Sequence, residues 1–357
     1  MLDREQSLRL DLLRFPLIVG VVFIHAYVST AIYSGNEIGL NQTHFVVDFI
    51  RNLISNGIAR VAVPLFFLMA GYLFFTGFEW SKKSYFVKLK ARIKTLLIPF
   101  IFWNIVTLSF IALAQAIPAT QIYFSGNNPP IAGFGFFDYL NAVVGINRSP
   151  IAYQFWFIRD LMILVLLAPL IKIILKFGPF AFLAVFFIYW FFDIWPFYVP
   201  SSEALLFFYV GAYLASTNKN MFAVDRYGSI LVLLYLIIVT IDASFIDGPF
   251  NPYLHKVGII VGVLSTLFIT KFIARTERIK SIILWLSSAS FFVYAIHEPL
   301  LTIVRKISYK LLSPNTSSSI LCLYFFVPIV VITFLIIAYR VFFRVTPRFV
   351  SIVTGGR

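Results

Sequence analysis

Leu12-Leu13-Arg14-Phe15-Pro16-Leu17-Ile18-Val19-Gly20-Val21-Val22-Phe23-Ile24-His25 is an apolar run that carries a guanidinium and an imidazole. With the residues after it, the run is long enough to cross a membrane. Ionisable side chains in hydrocarbon are costly and face a protein interior or a wet cavity. Arg14 and His25 are eleven residues apart, about three helical turns, so they share nearly one face at a separation of about 16 Å along the axis. Asp11 stands one turn before Arg14.

The rest of the chain agrees with that reading. Its 357 residues are 60% hydrophobic and only 12% charged, about half the charge fraction of a soluble domain. Mean hydropathy is +0.91. No small-x-small cleavage site follows the first apolar run, so a removable leader is not expected. Cys322 is the only cysteine and has no neighbouring metal ligands, so no metal site is expected and nothing follows about redox compartment.

Ten apolar spans are expected, over 12–33, 58–78, 96–117, 152–175, 177–198, 203–218, 227–247, 255–273, 282–304 and 318–340. The fold class is therefore an all-α polytopic transmembrane bundle. If the N-terminus is inside, 20 Lys and Arg fall on the inner side and 7 on the outer, which places both termini in the cytoplasm. The net charge of +14 lies in short loops between apolar runs, with no soluble domain to carry a nucleic-acid surface. The basic loop from Trp80 to Lys94 reads first as an anchor on anionic lipid, with the holding of an anionic cytoplasmic ligand as the second reading. Segment 44–54 is expected as a short interfacial helix.

Four constellations carry chemistry. The first is Asp11, Arg14 and His25. Arg14 alone reads equally well as an interfacial anchor; His25 is too deep to snorkel, and its alternative reading is a satisfied structural histidine. The second is Ser287-Ser288-Ala289-Ser290-Phe291-Phe292-Val293-Tyr294-Ala295-Ile296-His297-Glu298-Pro299-Leu300, where Ser287, Ser290, Tyr294 and His297 or Glu298 share a helical face. The third is Arg60 with Pro64-Leu65-Phe66-Phe67 and Gly71. The fourth is Gln154-Phe155-Trp156-Phe157-Ile158-Arg159-Asp160, in which Trp156 also suits an aromatic belt and Arg159 an interfacial pair.

Taken in order, these motifs resemble the acyltransferase 3 family of integral-membrane acyltransferases, whose members acylate surface carbohydrates. The resemblance implies a single membrane acyltransferase domain over residues 1–357, without an appended esterase-like domain. It also implies transfer of an acyl group, acetyl ahead of succinyl, from cytoplasmic acyl-CoA to a sugar hydroxyl on the far side. The site expected on this basis has His25 and Glu298 as catalytic residues and Arg14 and Asp11 at the donor. Arg60, Arg159, Trp156, Tyr294 and His297 would serve the acceptor or the oxyanion. His25 would deprotonate the acceptor or carry the acyl group. No permanently bound cofactor is expected; acyl-CoA is the donor substrate. The expected partners are a glycan or lipid-linked sugar, membrane lipid and polysaccharide-assembly proteins, with no nucleic acid, and the expected location is the inner (cytoplasmic) membrane. A transporter or flippase of lipid-linked glycans is the rival, since intramembrane His, Glu and Arg also suit a proton-coupled carrier. A silent membrane scaffold is a third reading, which the number of polar groups weighs against.

Overall fold

Asp3 starts the first helix, its carboxylate accepting from the Gln6 amide at 2.7 Å, and the helix α1 then runs unbroken from Arg4 to His25. The computed structural model describes residues 3–124, 130–246 and 248–356. Residues 125–129 of the second outer loop, residue 247 of the seventh expected span and Arg357 of the inner charges lie outside them. Leu12, Leu13, Leu17, Ile18, Val21 and Val22 of α1 are buried. This helix packs against five others, so it is the centre of the bundle rather than a lipid-facing span.

The expected first span reached residue 33, but α1 stops at His25. Thr30–Tyr33 (β1) and Asn36–Gly39 (β2) instead form an antiparallel hairpin. Ser34 and Gly35 both have positive φ, 44° and 89°, the conformation of a two-residue turn whose twist matches its strands. The all-α class holds, with this hairpin as the one sheet among the described residues.

The expected interfacial helix at 44–54 is also corrected. Phe45–Arg51 (α2) continues through a π stretch, Asn52–Gly57, and a 3-10 turn, Ile58–Val61, into Ala62–Phe75 (α3). Together they make one 31-residue span. The basic Trp80–Lys94 segment is largely helical: Lys82–Arg92 (α4) begins on a reciprocal Ser81–Ser84 cap and passes through a second π stretch into Ile98–Ala116 (α5). Pro118–Gln121 (α6) and Phe136–Val144 (α7) are short helices beyond it.

Trp156–Leu166 (α8) and Ala168–Phe177 (α9) follow, and Pro179–Phe191 (α10) turns away from α9 by 119° at Gly178-Pro179. Proline lacks the amide that would continue the ladder and restricts the residue before it. Ser202–Ser216 (α11) is short and apolar. Gly228–Ser244 (α12), Asn251–Arg275 (α13), Glu277–Ser287 (α14), Ser290–Leu312 (α15), Ser317–Val345 (α16) and Pro347–Val353 (α17) complete the chain, with a 61° bend between α14 and α15. Among the described residues, five helices are long and apolar enough to cross a membrane, or up to seven if each bent pair is one span. Expected span one falls on α1, which carries charges, span four on α8 and α9, and span six on the 15-residue α11; none of these is one of the five.

Two contacts set the frame. A Cβ on Gly71 of α3 would stand 2.1 Å from the Phe208 carbonyl oxygen, and one on Gly211 of α11 would stand 2.0 Å from that of Leu68. The α3 and α11 backbones therefore touch, a packing that small residues permit between membrane helices. Near the start of α1, Arg9 is not the exposed anchor its position suggests. It is 2% exposed and forks onto Asp225 at 2.6 and 2.9 Å, with further bonds to Thr270 and the Leu267 carbonyl. These contacts satisfy a buried guanidinium that would otherwise be costly and tie α1 to α13.

Candidate active site

The helical face predicted for Arg14 and His25 opens onto one cavity of about 360 Å³. Both residues line it, with Arg60, Trp156, Glu203 and Tyr294, while Ile18, Val21, Phe66, Leu73 and Phe157 supply apolar wall. The cavity follows α1 for the three turns between its two ionisable residues.

At one end, Arg14 holds Asp11 at 2.9 Å, with both side chains about two-fifths exposed. Asp11 does not line the cavity; its carboxylate orients Arg14 and its carbonyl accepts from the Ser287 hydroxyl at 3.0 Å. Arg92 and Ser287 line the cavity as well. Two guanidiniums in a partly open space suit an anionic ligand.

At the other end, His25 is the last residue of α1. Its Nδ1 lies 3.1 Å from the Tyr153 hydroxyl, and its ring centroid lies 5.3 Å from that of His297. His297 is fully buried, and its Nδ1 lies 2.8 Å from the Tyr294 carbonyl oxygen. A carbonyl only accepts, so this nitrogen carries the proton and Nε2 of the neutral ring offers a lone pair. Nε2 is buried and has no hydrogen-bond partner among the described residues. A ring in that state can take a proton but has none to offer an oxyanion.

The kink in α15 arranges these groups. Glu298 has φ −110° and ψ 135°, outside the helical region, as expected for a residue before proline. Pro299 has no amide to give to the Ala295 carbonyl. Gln154 takes that place: its Nε2 donates to Ala295 at 3.0 Å and to the Glu298 carbonyl at 2.9 Å. The Tyr294 hydroxyl donates in return to the Gln154 carbonyl at 2.7 Å. Bound on both sides, the turn before α8 presents Tyr153 to His25. The Glu298 carboxylate accepts from the Thr302 hydroxyl at 3.2 Å and lies near Tyr153, so it reaches His25 through the tyrosine and does not line the cavity.

Arg60 projects into the cavity, donates to Asn56 Oδ1 at 3.2 Å and faces Glu203 on α11. Arg159 does not. It is 6% exposed and donates to Asp160, the Gly145 carbonyl at 2.6 Å and the Arg148 carbonyl at 3.2 Å. Asp160 accepts in turn from the Ser201 amide at 2.8 Å, just before α11. Arg159 therefore ties the 145–148 loop and the start of α11 to α8. Trp156 and Tyr294 line the cavity; His297 stands behind His25.

Sequence reasoning passed over Glu203 and the specific duties of Arg92, Tyr153 and Gln154. Glu203 had a signal, a carboxylate one turn inside an apolar segment. Arg92 had one only as a member of the basic Trp80–Lys94 loop, and the duties of Tyr153 and Gln154 had none, since their importance comes from which helix they meet. Among the described residues no group of His, Cys, Asp and Glu could hold a metal ion.

Comparison with known proteins bears on the chemistry. The acyltransferase 3 family model, described as an acyltransferase domain, matches residues 7–339. The chain is 25% identical over 364 aligned residues to the succinoglycan biosynthesis protein ExoH of Rhizobium meliloti (strain 1021), covering 100% of this chain and 94% of that protein. No solved structure matches significantly. From a family match over nearly its whole length, joined to several membrane-capable helices around a polar cavity, the chain belongs to the acyltransferase 3 family, as a multi-pass membrane acyltransferase.

Proposed function

We propose that this protein is an O-acyltransferase that moves an acyl group from cytoplasmic acyl-CoA through the bundle to a hydroxyl of a surface or lipid-linked glycan. One observation carries the reading: a single cavity joins Arg14 to His25 along α1. Their axial separation of about 16 Å is comparable to an extended pantetheine arm. Arg14 and Arg92 would hold the anionic part of CoA at the inner mouth and leave the thioester near His25. The similarity to a succinoglycan biosynthesis protein supports a polysaccharide acceptor and brings succinyl level with acetyl as the acyl group. Ten spans with both termini cytoplasmic in the inner membrane is the arrangement that gives the cavity this direction, with α1, α8 and α11 added to the five long helices and the two bent pairs.

His25 acts as the base in direct transfer. Its free nitrogen takes the proton of the acceptor hydroxyl as that oxygen attacks the thioester carbonyl. The C–S bond breaks and the CoA sulfur leaves as the thiol after receiving the proton. Tyr153 fixes the imidazole through Nδ1. Arg60, free to point into the cavity, stabilises the oxyanion of the tetrahedral intermediate. Membership in an acyltransferase family sets aside the flippase and scaffold readings.

The test uses purified, reconstituted protein with radiolabelled acetyl-CoA or succinyl-CoA and a glycan extract. Label should appear on glycan, and His25→Ala protein of normal elution profile should lose it by about 10²-fold or more. Wild-type-like transfer by that variant, or no label with either donor, overturns the reading.

A further inference from the structure

Beyond the kink, α15 carries Arg305, Lys306 and Lys310, three of the seven basic residues expected on the outer side. Basic residues there run against the charge bias that orients membrane helices. Two of the three are occupied. The Lys306 ammonium donates to the Ile32 carbonyl at 3.0 Å and to that of Tyr123 at 2.6 Å, so it pins the β1–β2 hairpin. The Lys310 ammonium lies 5.0 Å from the Tyr123 ring centroid.

Arg305 differs. Its Nε and Nη1 are buried and make no hydrogen bond. It joins none of the ion pairs formed among the described residues. A buried charged donor left unmade is costly, which makes such a group a place where a ligand gains. It lies near enough to Glu298 and Tyr153, the groups beside His25, for its charge to act on them, and it does not line the cavity. Arg305 stands six residues into the helix that restarts at Pro299, about 9 Å along its axis from the kink that holds Glu298. That is the length of about two sugar rings.

We propose that Arg305 anchors an anionic group of the acceptor, a sugar carboxylate or the phosphate of a lipid carrier, so that a nearby hydroxyl lies at Tyr153 and His25. A guanidinium presents Nε and one Nη in a fork that matches either oxyanion. The word acceptor rests on the acyl-transfer reading above; the anion site does not, and binding measured without donor separates the two.

The experiment takes the full-length protein in nanodiscs and follows tryptophan fluorescence during titration with glucuronate, inorganic pyrophosphate and neutral glucose. Wild type, Arg305→Gln and Arg305→Lys are compared. Binding of glucuronate, pyrophosphate or both should weaken at least tenfold in Arg305→Gln, and glucose should respond alike in all three proteins. Loss for glucuronate alone assigns a sugar carboxylate, and loss for pyrophosphate alone a carrier phosphate. Arg305→Lys keeps the charge without the fork and should fall between the others; it gives the reading if the Gln variant does not fold. The His25→Ala protein should bind the same anion as wild type, so a failure of transfer leaves this result standing. Anion affinity unchanged in both Arg305 variants, or no anion binding to wild type, overturns the proposal.

Discussion

The Tyr153 hydroxyl lies 3.1 Å from Nδ1 of His25, across 128 residues of sequence. The tyrosine stands on a turn held by Gln154, and the histidine ends the central helix. Their meeting depends on the kink at Glu298-Pro299 that Gln154 satisfies.

Removing that hydroxyl should slow the reaction without loosening the fold, because Tyr153 is 40% exposed. A neutral hydrogen bond contributes about 1 kcal/mol, so Tyr153→Phe should lower kcat by about fivefold to tenfold. The KM for acyl-CoA should not move. Steady-state kinetics with both substrates varied would show it, and a wild-type kcat would remove Tyr153 from the positioning of His25.

Arg14→Ala should raise the KM for acyl-CoA by about tenfold or more, with kcat at saturation changed less. Arg14→Lys should recover part of the affinity, since an ammonium keeps the charge and loses the planar fork. Donor titration by initial rates distinguishes this from general damage, which would lower kcat in both variants alike.

Arg60 and Arg159 should separate by phenotype. Arg60 points into the cavity, so Arg60→Ala should fold normally and lose activity by about 10²-fold, as for removal of an oxyanion donor. Arg159 is buried against Asp160 and two carbonyls, so Arg159→Ala leaves an unpaired carboxylate and should cost about 3–5 kcal/mol of stability. Melting temperature and specific activity measured together on each variant decide the matter; equal melting points for wild type and Arg159→Ala would contradict the structural role.

Gln154→Ala strips the donor from two buried carbonyls at the kink. The loss should be about 1–3 kcal/mol for each carbonyl left unpaired. Activity should fall as well, because the turn carrying Tyr153 loses its tie to α15. A thermal-denaturation curve indistinguishable from wild type would show that the kink does not need this clamp.

Gly71→Ala should disrupt folding, since its new Cβ meets a backbone oxygen 2.1 Å away on α11 that cannot move alone. The cost of such overpacking is about 1–3 kcal/mol or more. Monodisperse yield after detergent extraction reports it. Gly77→Ala, at a position with open space around the added carbon but φ of +61°, should be milder.

The sequence was most legible where a regularity runs along a single helix. The spacing of Arg14 and His25 placed them on one face, and the cavity lies along that face. Residue order across four motifs named the family, which the match over residues 7–339 bears out. Hydropathy marked where apolar segments lie, but it overran α1 into the β1–β2 hairpin, because it reads Thr30–Tyr33 by composition and is blind to the turn at Ser34-Gly35. It also treated 44–54 as a separate element, because no local signal tells an interfacial helix from one that continues through a π stretch.

By itself, the sequence determined the class of protein and the stripe on α1, since periodicity and composition are properties of one segment at a time. Which partners meet that stripe was decided by tertiary structure. Arg60 and Arg159 look alike as basic residues near the ends of apolar runs, yet one faces the cavity and the other is consumed by Asp160 and loop carbonyls. His297 reads from its spacing as another polar residue on a helical face; only its Nδ1–H donating to the Tyr294 carbonyl leaves Nε2 as an acceptor. Such differences arise because a buried polar group takes its role from whichever atom packing places within hydrogen-bond reach, and that atom often belongs to another helix.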